Sequence, residues 1–215
     1  KAMTVAQLRE VEGIVQENVR EALPVHIETV PLDKALEINN LRAVFGERYP
    51  DPVRVVSIGP TVPELLADPG NDEWSKFSIE LCGGTHIPAT DVMSEFALVE
   101  ESAVAKGVRR IVGVTGAAAA EAISAGEALQ AKLRAAEAID AATVSDVETI
   151  DTMRRELTTL KLEIDEATTS AHVKATLRDA LGARDKVVAK ASKRLNQAKA
   201  ESAAAEAVTV AEKAE

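Results

Sequence analysis

Cys82-Gly83-Gly84-Thr85-His86 gathers the chain's one cysteine and one of its three histidines into five residues. A thiolate and a neutral imidazole are the two side chains that bind zinc most often. The glycines between them let the backbone turn tightly enough to aim both at one point. A zinc site takes three or four protein ligands, and this segment offers two. Spacing alone leaves three readings open: half of a metal site, a cysteine nucleophile with His86 as its base, or a small buried hydrophobe. His26 falls in a strand pattern far upstream, and His172 near the start of a helical pattern, as a surface residue. No Cys-x-x-Cys or His-x-x-x-His occurs in the sequence.

The segment must be held by its neighbours, and the first 116 residues alternate helix and strand. Thr4-Val5-Ala6-Gln7 has the form of a capping box. Leu8, Val11, Val15, Val19 and Leu23 then recur every three or four residues, an amphipathic helix stopped by Pro24. Val25–Val30 alternates and is β-branched, so it reads as a strand; a short helix over Leu32–Asn39 follows. Tyr49–Pro52 is a turn, Val53–Ile58 a second strand, and Asp68–Asp72 an exposed loop. Phe77–Leu81 is a third strand that delivers Cys82 at its end, where a rigid scaffold often positions reactive groups. Glu95–Ser102 and Arg109–Thr115 complete a mostly antiparallel sheet, joined by a tight connection over Ala103–Gly107.

After Gly116 the pattern changes to alanine-rich sequence without proline. Ile123, Leu129, Leu133 and Ile139 mark a first helix. Ser145–Glu148 caps a second, along which Ile150, Met153, Leu157, Leu160 and Ile164 step by three and four, the heptad spacing. Thr168–Ser170 is a turn, and Leu177, Leu181, Val188, Ala191 and Leu195 line a third helix. The fold class is α+β: a partial domain over 1–116 with a mostly antiparallel sheet, then an all-α antiparallel helical hairpin, a coiled-coil linker, over 117–215. The last fifteen residues carry little apolar stripe and are expected to fray or to be disordered.

Composition narrows the partners. The chain has 215 residues and a formal net charge of −10, which argues against a broad nucleic-acid platform and against DNA as a partner. Any RNA contact must be local; Lys106 with Arg109 and Arg110 is the main cationic cluster, either a solvated turn or such a contact. No run of about 18 apolar residues suggests a membrane span, and no secretory signal is visible at Lys1-Ala2-Met3. A single cysteine excludes an intramolecular disulfide and fits a reducing compartment.

Longer stretches carry a resemblance. Ser78–His86, followed by Gly107–Gly116, resembles the second half of the editing domain of alanyl-tRNA synthetases, and Leu41–Gly59 is similar to the eukaryotic form of that enzyme. The helices after Gly116 look like the linker coiled coil of the family. The resemblance implies an aminoacyl-tRNA deacylase module that hydrolyses mischarged Ser-tRNA(Ala) and Gly-tRNA(Ala). A synthetic pocket discriminates such near-isosteres by only about 10- to 200-fold, so a second, hydrolytic site removes the errors. In the family that site holds zinc through a His-x-x-x-His pair and a Cys-x-x-x-His pair. Cys82 and His86 match the second. Gly83, Gly84 and Thr85 would shape the pocket floor, and Arg109 and Arg110 would lie near the acceptor end of tRNA(Ala) or support the sheet.

The resemblance also implies what is missing. The first histidine pair is expected upstream of Lys1, so the zinc site here is partial and the isolated chain is expected to be inactive. The missing half-domain, or another protein chain, would complete it. The competing expectation is a non-catalytic subunit derived from a synthetase fragment within a larger assembly such as a ribosome or organellar complex. Localisation follows the family: cytoplasmic, with a mitochondrion or other organelle as the alternative.

Overall fold

A computed structural model describes residues 1–44 and 46–212, and it divides into two compact units, Val11–Phe96 and Lys1–Glu10 with Ala97–Glu215. The change from strand to helix at Gly116 therefore lies within the second unit.

Helix α1 (Val5–Arg20) begins on the expected capping box. The Thr4 amide donates to Gln7 Oε1 at 2.9 Å, and the Gln7 amide donates to Thr4 Oγ1 at 3.2 Å. Each satisfies a donor that the first turn leaves without a helical acceptor.

In the Val11–Phe96 unit, β1 (Val25–Val30), β2 (Val53–Ile58) and β3 (Ser78–Leu81) form an antiparallel sheet in the order β1-β2-β3. Val30 pairs with Val53, His26 with Ser57, and Leu81 with Val55. Alternation puts Val53, Val55 and Ile79 on one face. There they pack with Ala35 of α2 (Leu32–Leu36), with Ile38, and with Val62 and Leu65 of α3 (Val62–Ala67). Helix α2 ends three residues short of the expected Asn39. Helix α3 was not anticipated by the sequence reading. Its own capping box starts it: the Thr61 amide donates to Glu64 Oε2 at 2.8 Å and the Glu64 amide to Thr61 Oγ1 at 3.4 Å. The hydrogen bonds from Thr61 hold the Glu64 carboxyl below its ordinary range.

The end of α1 is closed by Thr90, which is buried. Its hydroxyl donates to the Asn18 carbonyl at 2.5 Å and accepts the Leu23 amide at 2.8 Å.

The five strands form two sheets rather than one. The outer edge of β3 is occupied by Arg42, whose amide donates to the Ile79 carbonyl at 2.8 Å and whose carbonyl accepts the Leu81 amide at 3.1 Å. Strands β4 (Phe96–Ala105) and β5 (Val108–Thr115) pair with each other. They turn at Lys106-Gly107, where Gly107 has φ +81°, a conformation that glycine adopts without steric cost.

Helices α4 (Gly116–Ala138), α5 (Val147–Glu166) and α6 (Ala171–Glu212) share one core. The α5 stripe Ile150, Met153, Leu157, Leu160 and Ile164 is buried throughout, against Leu129 and Leu133 of α4 and Leu177, Leu181, Val188 and Ala191 of α6. Only residues 167–170 separate α5 from α6, so the two fold back as a hairpin. Gly126 of α4 is there for close approach: a Cβ on it would lie 2.4 Å from Thr169 Oγ1 and 3.2 Å from Val173 Cγ1. Cations hold the carbonyls at the ends of α4 and α5 and in the connection between them. Lys174 Nζ donates to the Asp165 and Ala167 carbonyls, each at 2.8 Å, Arg184 donates to the Ile139 carbonyl, and Arg194 donates to the Ala142 and Val144 carbonyls. Burial, and then the nearby Arg178 charge, lower the Lys174 pKa.

Two expectations fail here. Ile139 is not part of the α4 stripe; it takes an extended conformation just beyond the helix and is 47% exposed. The expected fraying tail is helical through Glu212, as its alanine and glutamate favour. Residues 213–215 lie outside the described residues.

Candidate metal centre

Strand β3 ends at Leu81, and the chain leaves it as an open loop in which Cys82 is half-buried and Gly83 to His86 are exposed. The loop brings its two ligand atoms together. Cys82 Sγ lies 3.6 Å and His86 Nε2 lies 4.0 Å from the point that a Cβ on Gly84 would occupy. Both atoms thus lie within 4.0 Å of one point beside Gly84, where any side chain would stand next to them. Gly83 has open space around it, and neither Gly83 nor Gly84 takes a positive φ, so the bend itself does not require glycine at either position.

One residue that the sequence reading passed over holds this loop. Arg54 of β2 accepts the Cys82 amide on its own carbonyl at 3.3 Å. Its Nη1 donates to the Cys82 carbonyl at 3.5 Å and, more closely, to the Gly84 carbonyl. Alternation places Arg54 on the sheet face opposite Val53 and Val55. A lone cation between two core valines was the available signal, although the same face also carries the buried Val56.

Neither remaining histidine joins the pair. His26 stands opposite Ser57 in the ladder, so it shares the face of Val55 and not that of Arg54. His172 begins α6 in the other unit, and it is half-buried rather than on the surface. Among the described residues no group of three or more His, Cys, Asp or Glu could enclose a metal ion. The donor chemistry fits zinc as far as it goes: one soft sulfur and one imidazole nitrogen on the same loop beside Gly84, two of the three or four protein ligands that zinc takes.

Arg109 and Arg110 lie on β5 in the second unit. Arg109 grips Glu101 of β4 with two hydrogen bonds, the Nη2–Oε2 one at 2.7 Å. The hydrogen bonds and charge of Arg109 hold the Glu101 carboxyl below its ordinary value of 4.5, and Glu101 raises the Arg109 pKa in return. Arg109 therefore ties the two strands together. Arg110, the next residue along the strand, points to the other face and is exposed.

Residues 53–112, from the start of β2 into β5, match the threonyl and alanyl tRNA synthetase second additional domain. That stretch contains Arg54, Cys82, His86 and both β5 arginines. Within this class of synthetase-appended domains the relatives are more specific. The chain is 52% identical over 137 residues to the mitochondrial alanine–tRNA ligase of Saccharomyces cerevisiae, covering 64% of this chain and 14% of that protein. It is 53% identical over 116 residues to the alanine–tRNA ligase of Candida albicans, covering 54% of this chain and 12% of that protein. Identity to the cytoplasmic enzyme of Dictyostelium discoideum is 46% over 132 residues, covering 61% of this chain and 14% of that protein. Over the matched stretch the chain belongs to the alanyl-tRNA synthetase family. It spans about a seventh of the length of these relatives.

Proposed function

We propose that this chain is the second half of an alanyl-tRNA synthetase editing domain with its following coiled-coil linker. On this reading Cys82 and His86 supply two ligands of a zinc site that deacylates Ser-tRNA(Ala) and Gly-tRNA(Ala). The observation that carries the reading is that Cys82 Sγ and His86 Nε2 both lie within 4.0 Å of one point beside Gly84, inside the matched synthetase domain. The other two ligands are a His-x-x-x-His pair contributed by residues outside this sequence. A bound zinc would supply a Lewis acid and a means of activating water next to the ester.

The chain's own residues do the shaping. Gly83 and Gly84 keep the floor of the site free of side chains, so the 3′ end of the tRNA can approach the backbone. Thr85, exposed between them and His86, offers a hydroxyl within the same loop. Arg110 presents a free cation for a phosphate, while Arg109 is already committed to Glu101. The working compartment is the cytoplasm or a mitochondrion, since relatives carry both names.

A second reading, a non-catalytic subunit of a larger assembly, draws support from the β4–β5 hairpin. Val104, Val108 and Ile111 are each more than half exposed there, apolar side chains that a partner would cover, with Val108 and Ile111 on opposite faces of β5.

Zinc analysis separates the two readings. The purified chain is assayed alone and mixed with a polypeptide that carries the family's upstream His-x-x-x-His segment. Stoichiometric zinc in the mixture, together with hydrolysis of Ser-tRNA(Ala), is the expected result. No gain of zinc and no hydrolysis on mixing overturns the editing reading.

A further inference from the structure

We propose that Arg54 is the positioning residue of the Cys82–His86 pair: it holds the loop in the bend that makes Sγ and Nε2 converge. The proposal rests on the reading of Cys82 and His86 as a ligand pair. Its physical basis is a hydrogen-bond inventory. Among the described residues, every hydrogen bond made by residues 82–87 runs to Arg54: the Cys82 amide to its carbonyl, and the Cys82 and Gly84 carbonyls to its guanidinium. No other residue ties the loop down by this means.

The geometry explains why an arginine is needed. The two carbonyls that meet Nη1 flank Gly83, so one nitrogen draws together two peptide groups that an extended chain would hold apart. That contraction sets the turn at Gly83-Gly84, and the turn sets where Cys82 and His86 point. The planar, always-charged guanidinium presents several donors in a rigid fork. A lysine ammonium at the same place is a compact, strongly hydrated point charge on a flexible stem, so it would hold the bend less firmly. Arg54 also sits on β2, the central strand of its sheet, so the anchor is fixed by pairing on both sides. Ligand-orienting partners outside the first shell typically change metal affinity by about 10- to 100-fold.

The test compares the full chain with R54A and R54K, using C82A as the reference for a lost ligand. Two readouts are taken. The first is zinc affinity in the presence of the polypeptide carrying the upstream histidine pair, with cobalt substitution to record the thiolate-to-metal charge-transfer band. The second is metal-independent: backbone amide order parameters of Gly83 to His86. The expected result for R54A is a zinc affinity lower by about 10- to 100-fold and a weakened or shifted cobalt band. Loop order parameters should fall from near about 0.85 to below about 0.6, with those of β1 and β2 unchanged. R54K should lie between parent and R54A, and millimolar methylguanidinium should restore order to R54A.

An R54A loop as ordered as the parent's overturns the proposal, as does unchanged zinc affinity beside a clear loss in C82A. If R54A does not fold, R54K decides alone: full order and affinity in R54K exclude a need for the fork. If the parent binds no zinc with the histidine polypeptide, the editing reading falls, and the order parameters still decide whether Arg54 sets the bend.

Discussion

The helical core and the Cys82–His86 loop are built on opposite terms. The α4–α6 core is specified several times over: a buried heptad stripe on α5, a glycine for close approach on α4, and basic side chains on carbonyls of the α5 end and of the α4–α5 connection. In the loop Gly83 to His86 are exposed, and among the described residues only Arg54 hydrogen-bonds to residues 82–87. The lesson is a division of labour: redundancy where burial stabilises the chain, and a single anchor where two side chains must be aimed. Substitutions should therefore sort by region, with large stability effects in the helices and nearly none in the loop.

The sharpest way to break that contrast is Ile164→Ala. Ile164 is fully buried between α5 and its neighbours, and removing a buried isoleucine side chain typically costs about 2–5 kcal/mol. Chemical denaturation followed by helical circular dichroism should show it, while loop order at Gly83 to His86 stays at the parent level. A loss below about 1 kcal/mol would mean that the core relaxes around the hole and is not closely packed.

Gly126→Ala probes the same region by addition. The new methyl would meet Thr169 Oγ1 at 2.4 Å, and overpacking of this kind costs about 1–3 kcal/mol. Thr169→Ala in the same chain should recover most of that loss, because Thr169 is buried and its hydroxyl has no hydrogen-bond partner to forfeit. Additive losses in the double variant would show that the close approach is not between these two residues. In the other unit, Thr90→Val should cost about 1–3 kcal/mol, since it leaves the Asn18 carbonyl and the Leu23 amide without their partner.

The β4–β5 ion pair gives a pH signature. The folded Glu101 carboxyl titrates below its ordinary 4.5, so the fold favours its ionised form. That contribution is fully present above about pH 4.5 and is lost as pH falls through the depressed folded value. Denaturation midpoints of Glu101→Gln measured between pH 7 and pH 3 should accordingly fall less steeply with acid than those of the parent. Equal slopes would show that the contact with Arg109 does not persist in solution.

What was legible in the sequence follows the same regional divide. The α5 stripe, the Thr4–Gln7 box and strands β1 and β2 could be read because each carries a repeating or paired local signal. Helix α3 was missed although Thr61-Val62-Pro63-Glu64 is itself a capping box; it is only six residues long, too short for an apolar stripe to repeat, and proline is tolerated in a helix's first turn. The division into two sheets was not legible, since it depends on Arg42 taking the edge of β3, a contact across many residues. Arg54 was hidden for the same reason: its partners lie on another strand's exit. The ligand pair itself was plain from type and spacing, but its convergence over Gly84 belongs to backbone geometry.

Cys82→Ser marks the small end of the comparison and carries the most information about it. Cys82 is half-buried, sits outside β3 and belongs to no core cluster. Serine keeps its size and leaves the Arg54 bonds, which use main-chain atoms of residue 82, untouched. Surface changes away from special features stay within about 0.5 kcal/mol, so the denaturation midpoint should not move measurably. Zinc retention with the histidine polypeptide should nevertheless collapse, because a neutral hydroxyl is a poor substitute for a thiolate ligand. A large loss of stability would instead make the cysteine a packing residue, the bland reading with which the sequence began. A null effect on stability together with lost zinc would locate the function of this loop in the aim of two side chains, with the fold indifferent to what they are.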